Sequence, residues 1–440
     1  MNPQPMVYDT IALPLSYPGR IAPDSDSMYY SPRSMSKRAC RLLSISVFTA
    51  LVIITAWSNS PLKLIPHLPE VLGFRGPRKY LVILQNNNEL RPTGGFMGSF
   101  AAVSFDRGKM AYSVNDIYEP DGLVTSHINS PPPIQEAFQL GTWRLRDANW
   151  DPDFPSSVKT IEWFMGKAGL SGINGVATIN LTAVEKMLGS LGTVTVAEYR
   201  ETITEDNVWE KAQSYSQDNY FPGSKQKKEF LASLSKAVID KYNSLNLFSK
   251  LKLLGGIINQ LNQKQILIYF HNSSIQKTFS SLNWTGEIKQ PTCPWWVKKC
   301  IADAIIVVEA NLGVNKANHG VIRTADLTII PEGDKIHHRL ILNFENKKSD
   351  NKWGGKYKAW VRIIFPDGEK GFWIDLPEGE TKTETIEYDT QATSPNSKIY
   401  SFLWQKQSGI DYLPITLTVN KNKRSRVIHG NLTGDKLLVL

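Results

Sequence analysis

The sequence predicts an α/β layered domain followed by an all-β, sandwich-like domain, both standing behind one N-terminal transmembrane helix. Three observations carry this. The chain has 440 residues, about three times the commonest domain size. Short apolar runs alternate with helical patterns from about residue 78 to 310, and short strand patterns alone follow Asn311. Near the N-terminus an uncharged apolar stretch directly follows a basic cluster. Hydrophobic residues at 41% and charged residues at 21% exclude a mostly disordered chain and a multi-span membrane protein. The net charge of +9 is a mild bias toward anionic partners, whether phosphate-bearing lipid, acidic glycan or nucleic acid.

Residues 1–41 are rich in Pro, Ser and Tyr without hydrophobic periodicity, which predicts a disordered cytoplasmic tail. From Leu42 to Leu62 there is no charge, and apolar side chains surround the helix. At about 1.5 Å per residue, such a segment spans the roughly 30 Å hydrocarbon core, so 42–62 is expected to be a transmembrane helix. Arg33, Lys37, Arg38 and Arg41 precede it and Lys63 alone soon follows. The expected topology is a single-pass protein of the cell membrane, with a cytoplasmic N-terminus and an extracytoplasmic body. A buried core helix and a cleaved signal peptide are the alternatives; Trp-Ser-Asn-Ser is a poor cleavage site for the latter.

Residues 63–77 are Pro-punctuated and read as a linker. Tyr80–Gln85 and Phe96–Phe105 read as strands, the second ending in the turn Asp106-Arg107-Gly108-Lys109. Residues 155–166 carry Val158, Ile161, Trp163 and Phe164 ahead of a Gly-containing turn and a strand at Ile173–Ile179; a short helix over Thr182–Gly189 follows. Thr204 as N-cap opens a further helix and Ser224 a longer one to about Tyr242; Gln265–Phe270 is a buried strand. These elements assign 78–314 to the α/β domain. Strand patterns at Val321–Ile330, His338–Asn346, Lys358–Phe365, Thr381–Tyr388 and Ile415–Asn420, separated by turn residues, assign 315–440 to the β-domain. The basic run from Lys421 to Arg426 fits a solvated hairpin tip better than a nucleic-acid patch, and no nucleic-acid partner is expected.

No zincin, P-loop or G-x-S-x-G motif occurs. Cys293 and Cys300 bracket a short loop and either close a disulfide outside the cytoplasm or remain inert thiols. The densest polar cluster runs from Gln85 to Phe96 directly after a buried strand. Its Asn87, Arg91, Thr93 and Gly-Gly turn are components of an anion site, or of a plain strand-end turn. Asp116, Asp147, Asp151 and Asp153 are the oxygen ligands that Mg²⁺ uses, and Arg91 and Arg146 suit phosphate oxygens; turn formation and helix capping are the bland account of the same residues. The ligand-binding candidates here are Asn87, Arg91, Thr93 and Arg146, and the metal candidates Asp116 and Asp151.

The segments YLVILQNNNELRPTGGFMGSF, VNDIY, LRDANWDPDFPSS, VATINLTAVEKMLGSLGTVTV and VVEANLGVNKANHGVIR together resemble the bacterial family of domain of unknown function 4012 over about 78–325. That family is more loosely similar to the LytR-CpsA-Psr enzymes, which move glycopolymers from polyprenyl-pyrophosphate carriers to peptidoglycan outside the membrane. The resemblance implies a three-layer α/β/α external domain of LytR-CpsA-Psr type. It places Asp116 at the Asp of those enzymes' Arg-Asp pair, although Asn115 stands where they carry Arg. It sets Lys225, Lys227 and Lys228 where they carry an Arg-rich segment, and Lys227 joins the ligand-binding candidates. Asp116 and Asp147 are the candidate catalytic carboxylates. The implied function is phosphotransfer of a polyprenyl-linked glycopolymer to the cell wall with Mg²⁺ as a candidate cofactor; the alternative is a non-catalytic surface protein that binds the same glycan.

Overall fold

A computed structural model describes residues 60–139, 141–218, 225–348, 352–394, 397–421 and 424–440. The predicted tail and the apolar segment through residue 59 lie outside the described residues. Ser60 accepts a hydrogen bond from the Leu62 N–H and opens a 3₁₀ helix, Pro61–His67. Among the described residues no helix is long and apolar enough to cross a membrane.

The first sheet is built on β1 (Arg78–Arg91), whose buried and half-buried positions alternate as a strand with helices on both faces requires. It pairs antiparallel with β2 (Gly94–Asp106), which pairs with β3 (Lys109–Asp116). On its other side β1 runs parallel to β4 (Gly175–Asn180). After the small hairpin of β5 (Val194–Val196) and β6 (Glu201–Ile203), β7 (Ile266–Phe270) completes the order β3-β2-β1-β4-β7.

Helix α1 (Phe154–Lys167) is capped by Asp153, which accepts from the Ser156 N–H at 3.1 Å. Its Val158, Ile161, Phe164 and Met165 pack on Leu81, Ile83, Met97 and Phe100 of one sheet face. The opposite face meets α2 (Leu181–Leu191), α5 (Leu247–Asn262) and α6 (Ser273–Ser281) through a second apolar cluster, and a third cluster joins α2 and α5 to α3 (Val208–Gln217), α4 (Gln226–Ser244) and the small hairpin. Helices on both faces make this a three-layer α/β/α domain.

The sandwich begins earlier than the sequence reading placed it. β8 (Ile301–Asn311), assigned above to the end of the α/β domain, is buried along its whole length between β11 (Tyr357–Phe365) and β14 (Tyr400–Gln405). An apolar run with no alternation is the expected appearance of a strand covered on both faces, and it carries no sign of which domain covers it. The other strands are β9 (Val321–Glu332), β10 (Lys335–Asn346), β12 (Gly368–Leu376), β13 (Thr381–Gln391), β15 (Leu413–Lys421), β16 (Arg424–Leu432) and β17 (Lys436–Val439). They form two five-stranded sheets, β13-β10-β9-β15-β16 and β12-β11-β8-β14-β17, over one apolar core.

Candidate functional site

The sheet face that carries α2 to α5 also carries a groove of about 420 Å³. Its apolar wall includes Leu84 of β1, Ile179 of β4, Leu181 and Val184 of α2, and Leu231 and Leu234 of α4. Lys227, Leu231 and Leu234 fall at i, i+4 and i+7, so α4 turns one face to the groove and changes along it from an ammonium to aliphatic carbon. At about 1.5 Å per residue the two ends of that face are roughly 10 Å apart.

The polar end is assembled from all three first strands. Asp116 closes β3; one of its oxygens accepts from the Tyr118 N–H at 3.0 Å and the other stands 3.7 Å from the Lys227 ammonium. Lys227 also donates to the Gly98 carbonyl of β2 and lies 5.9 Å from the Tyr118 ring centroid. Burial holds its pKa below the ordinary lysine value, while Asp116 draws it back up and Lys316 pushes it further down. Lys316 reaches the groove from the segment between β8 and β9, paired with Glu89 and 5.7 Å from the Phe96 ring.

Three polar atoms along this lining have no hydrogen-bond partner among the described residues: the Ser99 hydroxyl, Gln85 Oε1 and Gln213 Oε1. Their residues are only 2%, 3% and 4% exposed. A buried polar group left unpaired costs about 1–3 kcal/mol; the Ser99 hydroxyl can donate to a ligand oxygen, whereas the two amide oxygens only accept, and Gln85 Oε1 is packed beside Gly94 and Asn180.

The remaining expected residues are placed elsewhere. The strand predicted to end at Gln85 continues to Arg91, its pairing with β2 interrupted by a bulge between Asn86 and Leu90. The polar cluster is therefore strand rather than loop. Arg91, 2% exposed, donates to Asp147 at 3.2 Å, to Glu89 at 3.1 Å and to the carbonyls of Leu90 and Asn311. Its fork is consumed inside the protein, and Asp147 is buried against it, with burial raising that carboxyl above the usual range. Arg146 donates to Asp121 at 2.6 Å and lies 3.9 Å from Asp147. Asn87 donates to Thr182 at 2.9 Å and to the Gly409 carbonyl at 3.0 Å, tying β1 to α2 and to the sandwich. Thr93, 1% exposed, accepts from Gln85 and Asn149 at 3.1 Å each.

Among the described residues Asp116 and Asp151 share no hydrogen-bond or ion-pair partner. Asp151 accepts from the Asp153 N–H at 2.9 Å and stands near Arg362 of the sandwich. Among the described residues no group of three or more His, Cys, Asp or Glu side chains is placed to hold a metal ion. Asp116 stands as one carboxylate beside one ammonium, that of Lys227. Cys293 and Cys300 are joined as a disulfide. Of the expected site residues, the structure thus brings Asp116 and Lys227 together in the groove and withdraws Arg91, Asp147, Thr93 and Asn87 into internal bonds.

Sequence reasoning missed Lys316, Ser99, Gln213 and the aliphatic wall. The i, i+4, i+7 spacing on α4 was available in the sequence. Lys316 carries no local signal, because it arrives from the beginning of the sandwich.

One protein family has a model that matches this chain. Residues 75–216 match the model of the DUF4012 family. The family is described as protein of unknown function, and the match runs from just before β1 nearly to the end of α3. The resemblance read from the segments above extends further, to about residue 325. No curated protein matches. Among solved structures, TagV of B. subtilis is 13% identical, covering 48% of this chain and 81% of that one, with a TM-score of 0.28. Lin1025 of Listeria innocua is 11% identical, covering 48% and 80%, with a TM-score of 0.29. TagT, solved bound to LI-WTA, is 13% identical, covering 47% and 74%, with a TM-score of 0.21.

Proposed function

We propose that this is a membrane-anchored, extracytoplasmic protein of the cell envelope whose α/β domain binds a polyprenyl-phosphate-linked glycan. The observation that carries the reading is the groove's polarity. An aliphatic wall of Leu84, Ile179, Val184, Leu231 and Leu234 leads to Lys227, Lys316 and the unpartnered Ser99 hydroxyl. A polyprenyl chain needs the first part and its phosphate or pyrophosphate the second. The loose similarity to glycopolymer transferases agrees with this choice of ligand, and the charge asymmetry around residues 42–62 with the anchor and its orientation.

Phosphotransfer is the stronger form of the same reading. The acceptor hydroxyl would attack the glycan-side phosphorus, a new P–O bond forming as the bond to polyprenyl phosphate breaks. Polyprenyl phosphate would leave, and the hydroxyl proton would pass to Asp116, the carboxylate that lines the groove. Binding without transfer is favoured by a specific feature: no arginine lines the groove among the described residues, and Asn115 turns back onto Ser113 at 3.1 Å.

A short polyprenyl-phosphate analogue titrated in detergent against wild type and Lys227→Ala tests the binding. Loss of one charge-assisted contact is expected to cost about 1.5–3 kcal/mol, roughly one to two decades in affinity. Equal affinities would remove the groove as the carrier site. Asp116→Asn, assayed for release of polyprenyl phosphate from a lipid-linked glycan donor, separates the two forms. A transferase loses release while retaining binding, whereas a binding protein has no release to lose.

A further inference from the structure

Helix α5 turns opposite faces to opposite surroundings. Leu253 is buried against the cluster that also holds the groove residue Leu234. The face that begins the helix is bare: Leu247 is 73% exposed, Phe248 79%, Leu251 57% and Leu254 50%. Their positions i, i+1, i+4 and i+7 make one apolar stripe. The stripe is held in shape, because Asn246 caps the helix by accepting from the Ser249 N–H at 2.9 Å. Exposed apolar patches of this kind on a folded domain mark a contact surface.

The charges around the stripe state what it contacts. Lys241, Lys250 and Lys252 flank it, and no Asp or Glu occurs from Lys241 to Gly286. Lys250 lies 5.1 Å from the Tyr242 ring and keeps its ammonium beside the apolar stripe. Bulky apolar side chains rimmed by lysines suit the interface of an anionic bilayer, with carbon below and ammonium at the head groups. A second copy of the chain suits it poorly, since twofold pairing would set the same lysines against one another.

We propose that the α4–α5 corner, through Leu247, Phe248, Leu251 and Leu254, dips into the head-group region of an anionic membrane leaflet. The placement has a consequence for the groove. Along α4 the lining changes from Lys227 to Leu234 in the direction of this corner, so the aliphatic end of the groove points toward the surface that meets the membrane. A lipid tail then passes from leaflet to groove without crossing bulk water. That consequence rests on the carrier reading; the docking itself does not.

The test uses the full chain, reconstituted in phosphatidylcholine vesicles with and without phosphatidylglycerol. In a Cys40→Ser background kept non-reducing, Phe248→Cys or Leu251→Cys carries an environment-sensitive nitrobenzoxadiazole label, and Thr381→Cys of the sandwich is the control. With phosphatidylglycerol, emission from 248 and 251 is expected to shift to the blue and to be lost mostly to nitroxide-labelled lipid, while 381 remains water-like. The shift should shrink in high salt and in vesicles without phosphatidylglycerol. Water-like emission at 248 and 251 would overturn the proposal. So would protection that grows with the protein-to-lipid ratio without lipid quenching, which would identify a face between copies. The carrier titration in detergent involves no bilayer, so either reading can fail while the other stands.

Discussion

Arg91 ends β1 with every branch of its fork engaged: Glu89, Asp147 and the carbonyls of Leu90 and Asn311 all accept from it. Its residue type and its place after a buried strand suited a phosphate ligand, and nothing local distinguishes that role from an internal one. The partners that decide it, Asp147 and Asn311, lie 56 and 220 residues away. Lys227 and Asp116 were legible because a family pattern marked their positions; Lys316 had no such mark. Arg91→Ala is expected to remove the cation that Glu89 and Asp147 share, leaving Glu89 to Lys316 and Asp147 to Arg146 at 3.9 Å, and to destabilise the protein by about 3 kcal/mol. Denaturant unfolding measures that loss. Carrier affinity of the folded fraction should be unchanged, since the guanidinium does not line the groove. Weakened binding at full stability would return Arg91 to the ligand site.

Among the elements, those whose own residues set their pattern were the legible ones. β10, β11 and β13 carry apolar runs or alternation and are bounded by turn residues, so their existence could be read locally. β14 and β17 were not read, because they are short and are fixed by pairing with each other and with β8, a hundred residues upstream. The approach between the β1–β2 hairpin and the segment after β14 was equally invisible. At Gly409, φ is +85° and an added Cβ would lie 2.1 Å from the Gly94 carbonyl oxygen. Gly94 itself has φ +136° and is crowded by Asn180 and Gln85. Gly409→Ala therefore combines left-handed backbone strain with a clash against backbone that cannot step aside. A loss of about 2 kcal/mol or more is expected, observed as a lower unfolding midpoint. An unchanged midpoint would mean that the hairpin and the sandwich separate readily.

Across the whole molecule the two domains are joined by buried polar groups rather than by a flexible linker. Lys264 pairs with Asp435 at 2.7 Å, Ser408 donates to the Lys264 carbonyl at 2.6 Å, and Gln407 donates to the Arg91 carbonyl at 3.1 Å. The ammonium of Lys406, a residue 2% exposed, extends from the sandwich to the Gln263 carbonyl at 2.9 Å and to the Gln407 carbonyl at 3.1 Å, and among the described residues it bonds no carboxylate. Burial, with Lys264 beside it, pushes its pKa from 10.5 down to about 7. Between those values the unfolded chain holds a proton that the folded protein has released, so this group makes stability rise with pH across that window. Below about pH 7 both states are protonated and the full cost of burying the ammonium is present. Lys406→Met should therefore be more stable than wild type at pH 6, and the advantage should narrow steadily toward pH 10. Calorimetry of both proteins over this range is the measurement, and the shared buried ties predict one cooperative transition for the α/β domain and the sandwich together. A constant difference between the two proteins at every pH would show that Lys406 does not change its protonation on folding, and two separated transitions would show that the joint does not couple the domains.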